Sequence, residues 1–377
     1  MTQPKETFEL FRKITSTCER WNMIMQDSVV VAGVSGGVDS MLMLAFLDYY
    51  RTQHDFFLLV CHVNHMIRGD DADLDELLVE SYCVEHAIPY VSVRLDIPKL
   101  ADERGVSLEQ AGRDARRDTM MRLGMEYAGD SMSFRIAFAH HMDDRAESIL
   151  MHVGRGSGLA GLVGIRYVDG VFIRPLLDLR LGEIESAAGI LGLPWHEDET
   201  NQSDEFLRNR VRRNLIPAWR DVLGYDPVPV LVRLGDAAEG DERALAQWAE
   251  FSYREAHLPD GKLSVSSLAE CPQSITKRVL ARYYDDSMVK HVAEVSRGFD
   301  TQHEPALTDG DVPAQPASKL SLGAAHLELL VSGIERSANG EGRETSFSLP
   351  GGIVARISDG RLFFVFPGVE KLQSDVV

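Results

Sequence analysis

The run from Val29 to Ser40 limits the possible folds of this chain more than any other stretch. Its first part, Val29 to Val34, is apolar and rich in β-branched residues, which predicts a buried strand. Ser-Gly-Gly-x-Asp-Ser follows directly, and Met41 to Tyr50 then read as a helix. A buried strand that leads through a glycine turn into a helix is the first half of a parallel α/β unit.

The glycine turn itself predicts a phosphate-binding loop. Gly36 and Gly37 let the backbone approach an anion, Ser35 and Ser40 add hydroxyl groups, and the helix N-terminus adds oriented N–H groups. No G-x-x-x-x-G-K-[ST] motif occurs in the chain, so the P-loop lysine is missing. A loop with Asp39 and no lysine suits a pyrophosphate group with a metal ion held by Asp39. The alternative is an ordinary strand–turn–helix packed with small residues.

The region that follows the loop alternates between strands and helices. The predicted strands are 29–34, 56–63, 90–95 and 134–140, and the predicted helices are 40–50, 70–86 and 107–127. This alternation indicates an α/β fold with a doubly wound parallel sheet. Ligands bind such sheets beyond the carboxyl ends of the strands, which places the candidate site after Val34, Val63 and Ala139.

A second, smaller and mainly helical domain is predicted to begin near Pro217. We therefore expect a catalytic domain at 1–216 and a substrate-binding domain at 217–377. Pro, Gly and acidic residues without periodicity predict a loop at 297–318, and turn signals predict a terminal hairpin at 347–366.

Composition excludes several classes of protein. No apolar run of the 377 residues approaches the roughly 18 residues that span a bilayer, and the polar N-terminus predicts no signal peptide, so we expect a cytoplasmic protein without membrane contact. The four cysteines form no C-x-x-C pair, which argues against a zinc or iron–sulfur site. The net charge of −19 is unusual for a protein that binds nucleic acid, so any RNA-binding surface must come from local clusters of arginines.

Polar residues follow the fourth predicted strand in the run from His140 to Glu147. Asp144 and Glu147 are three residues apart, so a helix that begins near Asp143 carries both carboxylates on one face. Two such carboxylates can hold an ammonium group or a metal ion. Zinc is disfavoured because His140 and His141 are adjacent and point apart, and a position of His140 near nucleotide phosphates fits better.

Two segments are locally basic. The third predicted helix carries a stripe formed by Arg113, Arg116, Arg117 and Arg122. A second group lies between Asp204 and Asp221 and consists of Arg208, Arg210, Arg212, Arg213 and Arg220. The planar guanidinium suits phosphate, although both groups can also be solvated helix faces that pair with acidic neighbours.

The loop resembles the PP-loop of the N-type ATP pyrophosphatases, and the motifs in their order resemble the tRNA(Ile)-lysidine synthetase family over residues 28–218. These motifs are Ser35 to Ser40, His62-Val63-Asn64-His65, Glu109 with Ala115-Arg116, His140-His141-x-Asp143-Asp144-x-x-Glu147, Arg155 to Leu159, Arg174-Pro175-Leu176-Leu177, Asp198-x-x-Asn201 and Arg208-Asn209-x-x-Arg212. Departures from the family pattern are Phe138, Arg145 and Ser148. We also expect the chain to lack the further carboxyl-terminal domain of longer members.

The resemblance implies a ligase that uses ATP and Mg²⁺ to join free lysine to C2 of the wobble cytidine of an isoleucine tRNA. It implies that ATP binds to Ser35, Gly36, Gly37, Val38, Asp39 and Ser40, with Mg²⁺ near Asp39. It implies further catalytic roles for His140 and Arg116, lysine binding by Asp144 and Glu147, and tRNA binding by Arg208, Arg212 and Arg213.

Three other functions remain open from the residues. A tRNA 2-thiolation enzyme shares the loop, but the missing C-x-x-C pair counts against it. An amidating synthetase would need ammonia from a glutaminase, and no N-terminal cysteine nucleophile is present. A non-catalytic ATP-binding sensor would leave Asp144, Glu147 and the arginines from 208 to 213 without a task.

Overall fold

The computed structural model describes residues 5–66, 69–130, 132–196, 207–299, 322–341 and 344–367. It divides into two compact units, Met1–Glu239 and Gly240–Val377. Asp198 and Asn201 lie outside the described residues.

The first unit is built on a sheet in which six strands are described, in the order β3-β2-β1-β4-β6-β5. The strands are β1 (Ser28–Gly33), β2 (Phe56–Asn64), β3 (Tyr90–Arg94), β4 (Phe134–Ala137), β5 (Val168–Asp169) and β6 (Phe172–Ile173). All pairs are parallel except β5 with β6. The predicted α/β fold with a parallel sheet is therefore confirmed.

Helices cover both faces of this sheet. They are α1 (Lys5–Arg20), α2 (Val38–Tyr50), α3 (Asp70–Glu85), α4 (Ile97–Arg104), α5 (Leu108–Ala128), α6 (Met142–Gly154), α7 (Leu159–Leu162), α8 (Leu181–Leu191), α9 (Leu207–Arg210) and α10 (Ile216–Leu223). A π-helical turn, Val211–Leu215, joins α9 to α10. Pro217 has no N–H to donate within a helix, which favours the irregular turn just before it.

The two faces of β1 belong to different apolar layers, as its uninterrupted β-branched sequence requires. Val30 packs in one cluster with Phe46 of α2, and Val31 packs in another with Met120 of α5. A strand buried on both faces cannot shift its register without burying polar groups. The loop that follows β1 is therefore held at a well-defined place on the sheet edge.

The second unit combines long helices with a small antiparallel sheet. Its elements are the later part of α11 (Val228–Ala256), β7 (Leu263–Ser264), α12 (Val265–Ala269), α13 (Gln273–Phe299), α14 (Ala324–Ala338), β8 (Glu344–Ser348), β9 (Val354–Ser358) and β10 (Arg361–Val365). The described sheet order is β7-β10-β9-β8, so the predicted terminal hairpin exists and gains further strands. Helix α13 reaches Phe299, so residues 297–299 of the loop predicted at 297–318 are helical, and residues 300–318 lie outside the described part.

The boundary between the compact units falls at Glu239, further along the chain than the boundary predicted at 216. Val228 and Leu231 pack with Ile149 of α6, which ties the beginning of α11 to the first unit. The predicted boundary lies where the alternation of strands and helices stops. Packing against α6 extends the first compact unit beyond that point. None of the described helices has both the length and the apolar character needed to cross a bilayer.

Candidate active site

The loop between β1 and α2 is closed on itself by one hydroxyl group. Ser40 Oγ accepts hydrogen bonds from the backbone N–H groups of Ser35 and Gly36, both at 3.2 Å, and donates to the carbonyl of Gly37 at 2.9 Å. Ser40 is therefore engaged in shaping the loop. The predicted loop residues converge at the N-terminus of α2, where N–H groups and the helix dipole favour an anion.

Gly36 has a conformation and surroundings that suit glycine. Its φ is +94°, outside the range that other residues adopt easily, and a Cβ there would approach Asp75 at 3.4 Å. The loop is braced from outside at this residue, because His196 donates its backbone N–H to the carbonyl of Gly36 at 3.1 Å. The ring of His196 contacts Asp75 at 2.9 Å. Neither Asp75 nor His196 is among the site residues predicted from the sequence.

Asp39 lies in the first turn of α2, and its Oδ1 is buried without a hydrogen-bond partner among the described residues. Burial raises the pKa of Asp39 to about 6, although the neighbouring His141 opposes this. An unpartnered carboxylate oxygen beside a phosphate-binding loop matches what Mg²⁺ uses, namely one or two carboxylates together with phosphate oxygens and water. The described residues contain no group of three or more acidic, His or Cys side chains that could hold a metal ion alone.

His141 links this carboxylate to helix α6. Its Nε2 lies 3.9 Å from Asp39 Oδ2 and 3.4 Å from Asp144 Oδ2, and its Nδ1 lies 3.5 Å from Asp143 Oδ2. Burial alone would lower the pKa of His141, but Asp144, Asp143 and Asp39 raise it to about 9. At neutral pH His141 is therefore a buried cation among carboxylates, a role that the adjacent histidine pair in the sequence did not reveal.

Asp144 and Glu147 lie on one face of α6, as their spacing predicts, and both contact Arg212 of the π-helical turn. Arg212 Nε donates to Glu147 Oε1 at 2.5 Å, and Arg212 Nη2 donates to Asp144 Oδ1 at 3.0 Å. Glu147 is fully buried. Burial works against the charge of Arg212, but Glu147 and Asp144 raise the pKa of Arg212, so the guanidinium stays charged. The structure therefore joins a residue assigned to tRNA with the two residues assigned to lysine.

One cavity of about 180 Å³ gathers most of these side chains. Its walls come from the carboxyl ends of β1, β2 and β4 and from α2, α5 and α6. The residues predicted from the sequence that line it are Ser35, Gly37, Asp39, Ser40, Arg116, His140 and Asp144. Glu147, Arg208 and Arg212 join this group through ion pairs on α6.

His140 and Arg116 are both in electrostatically unusual surroundings. Burial lowers the pKa of His140 to about 3, with nearby Arg174, Arg208 and Arg113 acting in the same direction, so its ring is neutral. Burial also lowers the pKa of Arg116, and Arg113 adds to this effect. A neutral imidazole and a partly desolvated guanidinium at one cavity can both donate to phosphate or carbonyl oxygens.

The three arginines assigned to tRNA separate in the structure. Arg212 contacts the carboxylates of α6, and Arg208 Nε lies 3.6 Å from Glu147 Oε2. Arg213 lies exposed on the π-helical turn. The tRNA assignments stay predictions, and the geometry gives Arg213 a different environment from the other two.

Further side chains line the cavity, among them His65 from the predicted strand end, and Met120 and Phe138, to which the sequence assigned no role in the site. His62 contacts the start of the loop, because its Nδ1 lies 2.8 Å from the carbonyl oxygen of Val34. His62 and His65 lie at the carboxyl end of β2, where the sequence predicts the site.

Comparisons with known proteins identify a family and several relatives. The family model ATP_bind_3, described as a PP-loop domain, matches residues 7–219. The tRNA(Ile)-lysidine synthase of Caldanaerobacter subterraneus subsp. tengcongensis is 35% identical over 75% of this chain and 61% of its own length. The tRNA(Ile)-lysidine synthase of Chlorobaculum tepidum is 32% identical over 72% of this chain and 82% of its own length.

Among solved structures, the U34-tRNA thiolase NcsA from Methanococcus maripaludis, which carries a 4Fe-4S cluster, matches with a TM-score of 0.51 and 21% identity. The match covers 62% of this chain and 80% of that chain, and at this identity it shows a shared fold alone. The chain spans only part of some relatives: 61% of the Caldanaerobacter protein and 49% of the tRNA(Ile)-lysidine synthase of Clostridium tetani.

Proposed function

The chain belongs to the PP-loop domain family and, within it, to the tRNA(Ile)-lysidine synthases, and from this membership we propose that it is a ligase that modifies RNA. It joins free lysine to C2 of the wobble cytidine of an isoleucine tRNA and converts ATP into AMP and pyrophosphate.

One observation carries this proposal: the phosphate-binding loop and Asp144 of α6 line a single cavity, and Arg212 joins Asp144 to Glu147 on the same helix. A ligase that adenylates one substrate and then adds an amine needs both parts within reach of one reacting atom. A non-catalytic ATP sensor needs only the loop, and the buried cluster of Asp144, Glu147 and Arg212 would then have no purpose.

In the first step ATP lies on the loop, and the C2 carbonyl oxygen of the cytidine attacks the α-phosphate. The new O–P bond forms as the bond to pyrophosphate breaks. Arg116 and the N–H groups at the start of α2 stabilise the charge that develops on the phosphate oxygens. Mg²⁺ held by Asp39 would neutralise phosphate charge. His140, being neutral, can donate a hydrogen bond without adding charge.

In the second step the ammonium group of lysine loses a proton to water, and the resulting ε-amine attacks C2. The C2–N bond forms as the C2–O bond breaks to release AMP. Asp144 and Glu147 hold the incoming ammonium group. Arg212 already occupies these carboxylates, so lysine has to share them with Arg212 or displace it. Because Glu147 is fully buried, a cation that reaches it loses its water and meets a strong local field.

A 2-thiolation enzyme remains the alternative within the superfamily, because the thiolase NcsA shares the fold. The four cysteines of this chain are Cys18, Cys61, Cys83 and Cys271, which form no C-x-x-C pair. Burial raises the pKa of Cys61, the cysteine at the cavity, to about 12, which makes it a poor sulfur nucleophile.

The test is incubation of the full chain with ATP, Mg²⁺, lysine and isoleucine tRNA. We expect release of AMP and pyrophosphate that requires lysine and tRNA together, and we expect radiolabelled lysine to enter the tRNA. Turnover without lysine but with a sulfur donor would support the thiolase instead, and ATP binding without any turnover would support the sensor.

A further inference from the structure

A group of arginines lies near His140, and it includes Arg174, to which the sequence assigns no role. Arg174 directly follows β6, the strand next to β4 on the side away from β1. The backbone N–H of Phe138 donates to the carbonyl of Ile173 at 3.0 Å, so Arg174 lies beside the stretch of chain that leads to His140. Arg174 itself is 4% exposed.

The guanidinium of Arg174 is incompletely satisfied. Its Nη1 donates to the carbonyl of Arg166 at 2.8 Å, but its Nε is buried without a hydrogen-bond partner among the described residues. Buried donors of charged groups are nearly always paired in folded proteins, because an unpaired donor loses its hydrogen bonds to water without gaining a new acceptor. An unpaired Nε on a buried arginine is therefore a place where a ligand can supply the missing oxygen.

Two more arginines, Arg113 and Arg117, lie close enough to Arg174 to act on its charge, and a third, Arg208, lies close to Arg113. Arg113 and Arg117 lie one turn apart on α5, and Arg117 lies over the ring of Phe172 at 3.8 Å. Arg208 is the third, and its Nε lacks a hydrogen bond as well, although Glu147 Oε2 lies 3.6 Å away.

Neighbouring cations in this group oppose one another. Burial lowers the pKa of Arg174 to about 10, with Arg113 and Arg117 acting in the same direction while Asp169 opposes. Partial desolvation of the Arg113 guanidinium likewise lowers its pKa, and Arg117 and Arg208 add to this while Glu109 and Asp114 oppose. Mutual repulsion of this kind is relieved when an anion binds between the cations.

The place of this cluster on the sheet separates it from the phosphates of ATP. The PP-loop follows β1, and Arg174 follows β6, two strands away, which is about 10 Å at the usual spacing of strands. The cluster therefore lies at the end of a different strand from the loop, and separate binding measurements with ATP and with RNA distinguish the two possible anions. Arg113 is exposed, so the cluster is open to a long polyanion that approaches from solvent.

We propose that Arg174, together with Arg113, Arg117 and Arg208, forms a subsite for a backbone phosphodiester of the RNA substrate, next to the reacting base. The subsite rests on the proposed function, since it gives the RNA strand a fixed point beside the cavity. The planar guanidinium of Arg174 would hold the phosphate in a defined orientation, and the other arginines would add positive electrostatic potential around it. An overall acidic protein needs such a local positive site to hold RNA.

The test compares Arg174→Gln with Arg174→Lys and with Arg12→Gln, an exposed arginine on α1. Binding of isoleucine tRNA is measured at several salt concentrations without ATP or lysine, and binding of ATP and of inorganic pyrophosphate is measured separately. We expect Arg174→Gln to weaken tRNA binding about tenfold and to flatten the slope of log K against log salt by roughly 0.7–0.9. ATP binding should stay within about twofold, Arg174→Lys should recover part of the affinity, and Arg12→Gln should change neither ligand.

Other outcomes would overturn the inference in distinguishable ways. If Arg174→Gln weakens binding of ATP or pyrophosphate and leaves tRNA unaffected, the site belongs to the nucleotide. If wild type binds tRNA and the variant binds it equally well with the same slope, Arg174 is a structural residue only. If wild type binds no tRNA, the proposed function fails as well. Should Arg174→Gln unfold, the exposed Arg113→Gln provides the same measurements, with a smaller loss of affinity expected and an unchanged slope counting against the subsite.

Discussion

At the scale of the residue, Asp39 must be ionised for its proposed role, yet its surroundings favour the neutral form. Burial raises the pKa of Asp39 from 3.8 to about 6, and its Oδ1 has no hydrogen-bond partner among the described residues. The proposed Mg²⁺ would supply the partner that this carboxylate oxygen lacks in the folded protein. Such a residue improves function and reduces stability.

Asp39→Asn should lose pyrophosphate release and yet become more stable. Because the folded pKa is raised, the stability cost of the ionised carboxylate is absent below 3.8, grows between 3.8 and about 6, and is complete above that pH. We expect a gain of about 1 kcal/mol at pH 7, modest because the side chain is 34% exposed. Urea unfolding at pH 7 and at pH 4 measures it, and the gain should largely disappear at the lower pH. Near-normal turnover by Asp39→Asn would contradict the proposed role of Asp39 in binding a metal ion.

Variants of Asp144 and Glu147 should impair the reaction with lysine and spare the adenylation of tRNA. Asp144→Asn and Glu147→Gln remove charge from the proposed lysine site, so the KM for lysine should rise about tenfold or more while tRNA adenylation continues without lysine. Glu103→Gln on α4 removes an exposed carboxylate and serves as the control. If either site variant loses ATP binding while its lysine dependence is unchanged, the pair belongs to the nucleotide.

At the scale of the element, the π-helical turn at Val211–Leu215 decides where its arginines point. Arg212 turns inward to Glu147 and Asp144, whereas its neighbour Arg213 is exposed. A run of arginines therefore divides between the cavity and the surface, although in the sequence it reads as one basic patch.

Replacing Arg212 and replacing Arg213 by alanine should therefore have different effects on tRNA binding and on the lysine requirement. Arg213→Ala should weaken tRNA binding and flatten its salt slope by roughly 0.7–0.9, as expected for one lost phosphate contact. Arg212→Ala should mainly change the lysine requirement and lower stability by about 3 kcal/mol, because it leaves the buried Glu147 without its strongest partner. Anisotropy titrations with tRNA and steady-state kinetics with lysine distinguish the two. Equal effects of both variants on the salt slope would show that Arg212 also contacts RNA.

At the scale of the whole molecule, the beginning of α11 completes the first compact unit. Val228 and Leu231 are almost fully buried in the cluster with Ile149 of α6. Arg145, which is fully buried, donates to Asp236 Oδ1 at 2.6 Å. Helix α6 carries the proposed lysine site, so these contacts hold the site as well as the fold.

A fragment of residues 1–239 should therefore fold and bind ATP, whereas a fragment of residues 1–216 should be much less stable. The shorter fragment loses about 1.5–3 kcal/mol for each buried Val or Leu side chain and leaves Arg145 without its carboxylate partner. We expect the longer fragment to discriminate poorly between isoleucine tRNA and its nearest competitor, because binding energy from the tRNA body is lost. Thermal unfolding and tRNA competition assays test both points. Equal stability of the two fragments would contradict the role given to α11.

The sequence alone determined the parallel α/β framework and the phosphate-binding loop, because both depend on patterns within about 12 residues: β-branched runs, glycines at a turn and helical spacing. The pairing of Asp144 with Glu147 on one face followed from the same local geometry. Only the tertiary structure decided which cation meets them, since Arg212 lies 65 residues from Glu147 along the chain. The cationic state of His141, the unpaired Nε of Arg174 and the extension of the first unit to Glu239 likewise depend on burial by distant segments, and burial is set by the packing of the whole fold.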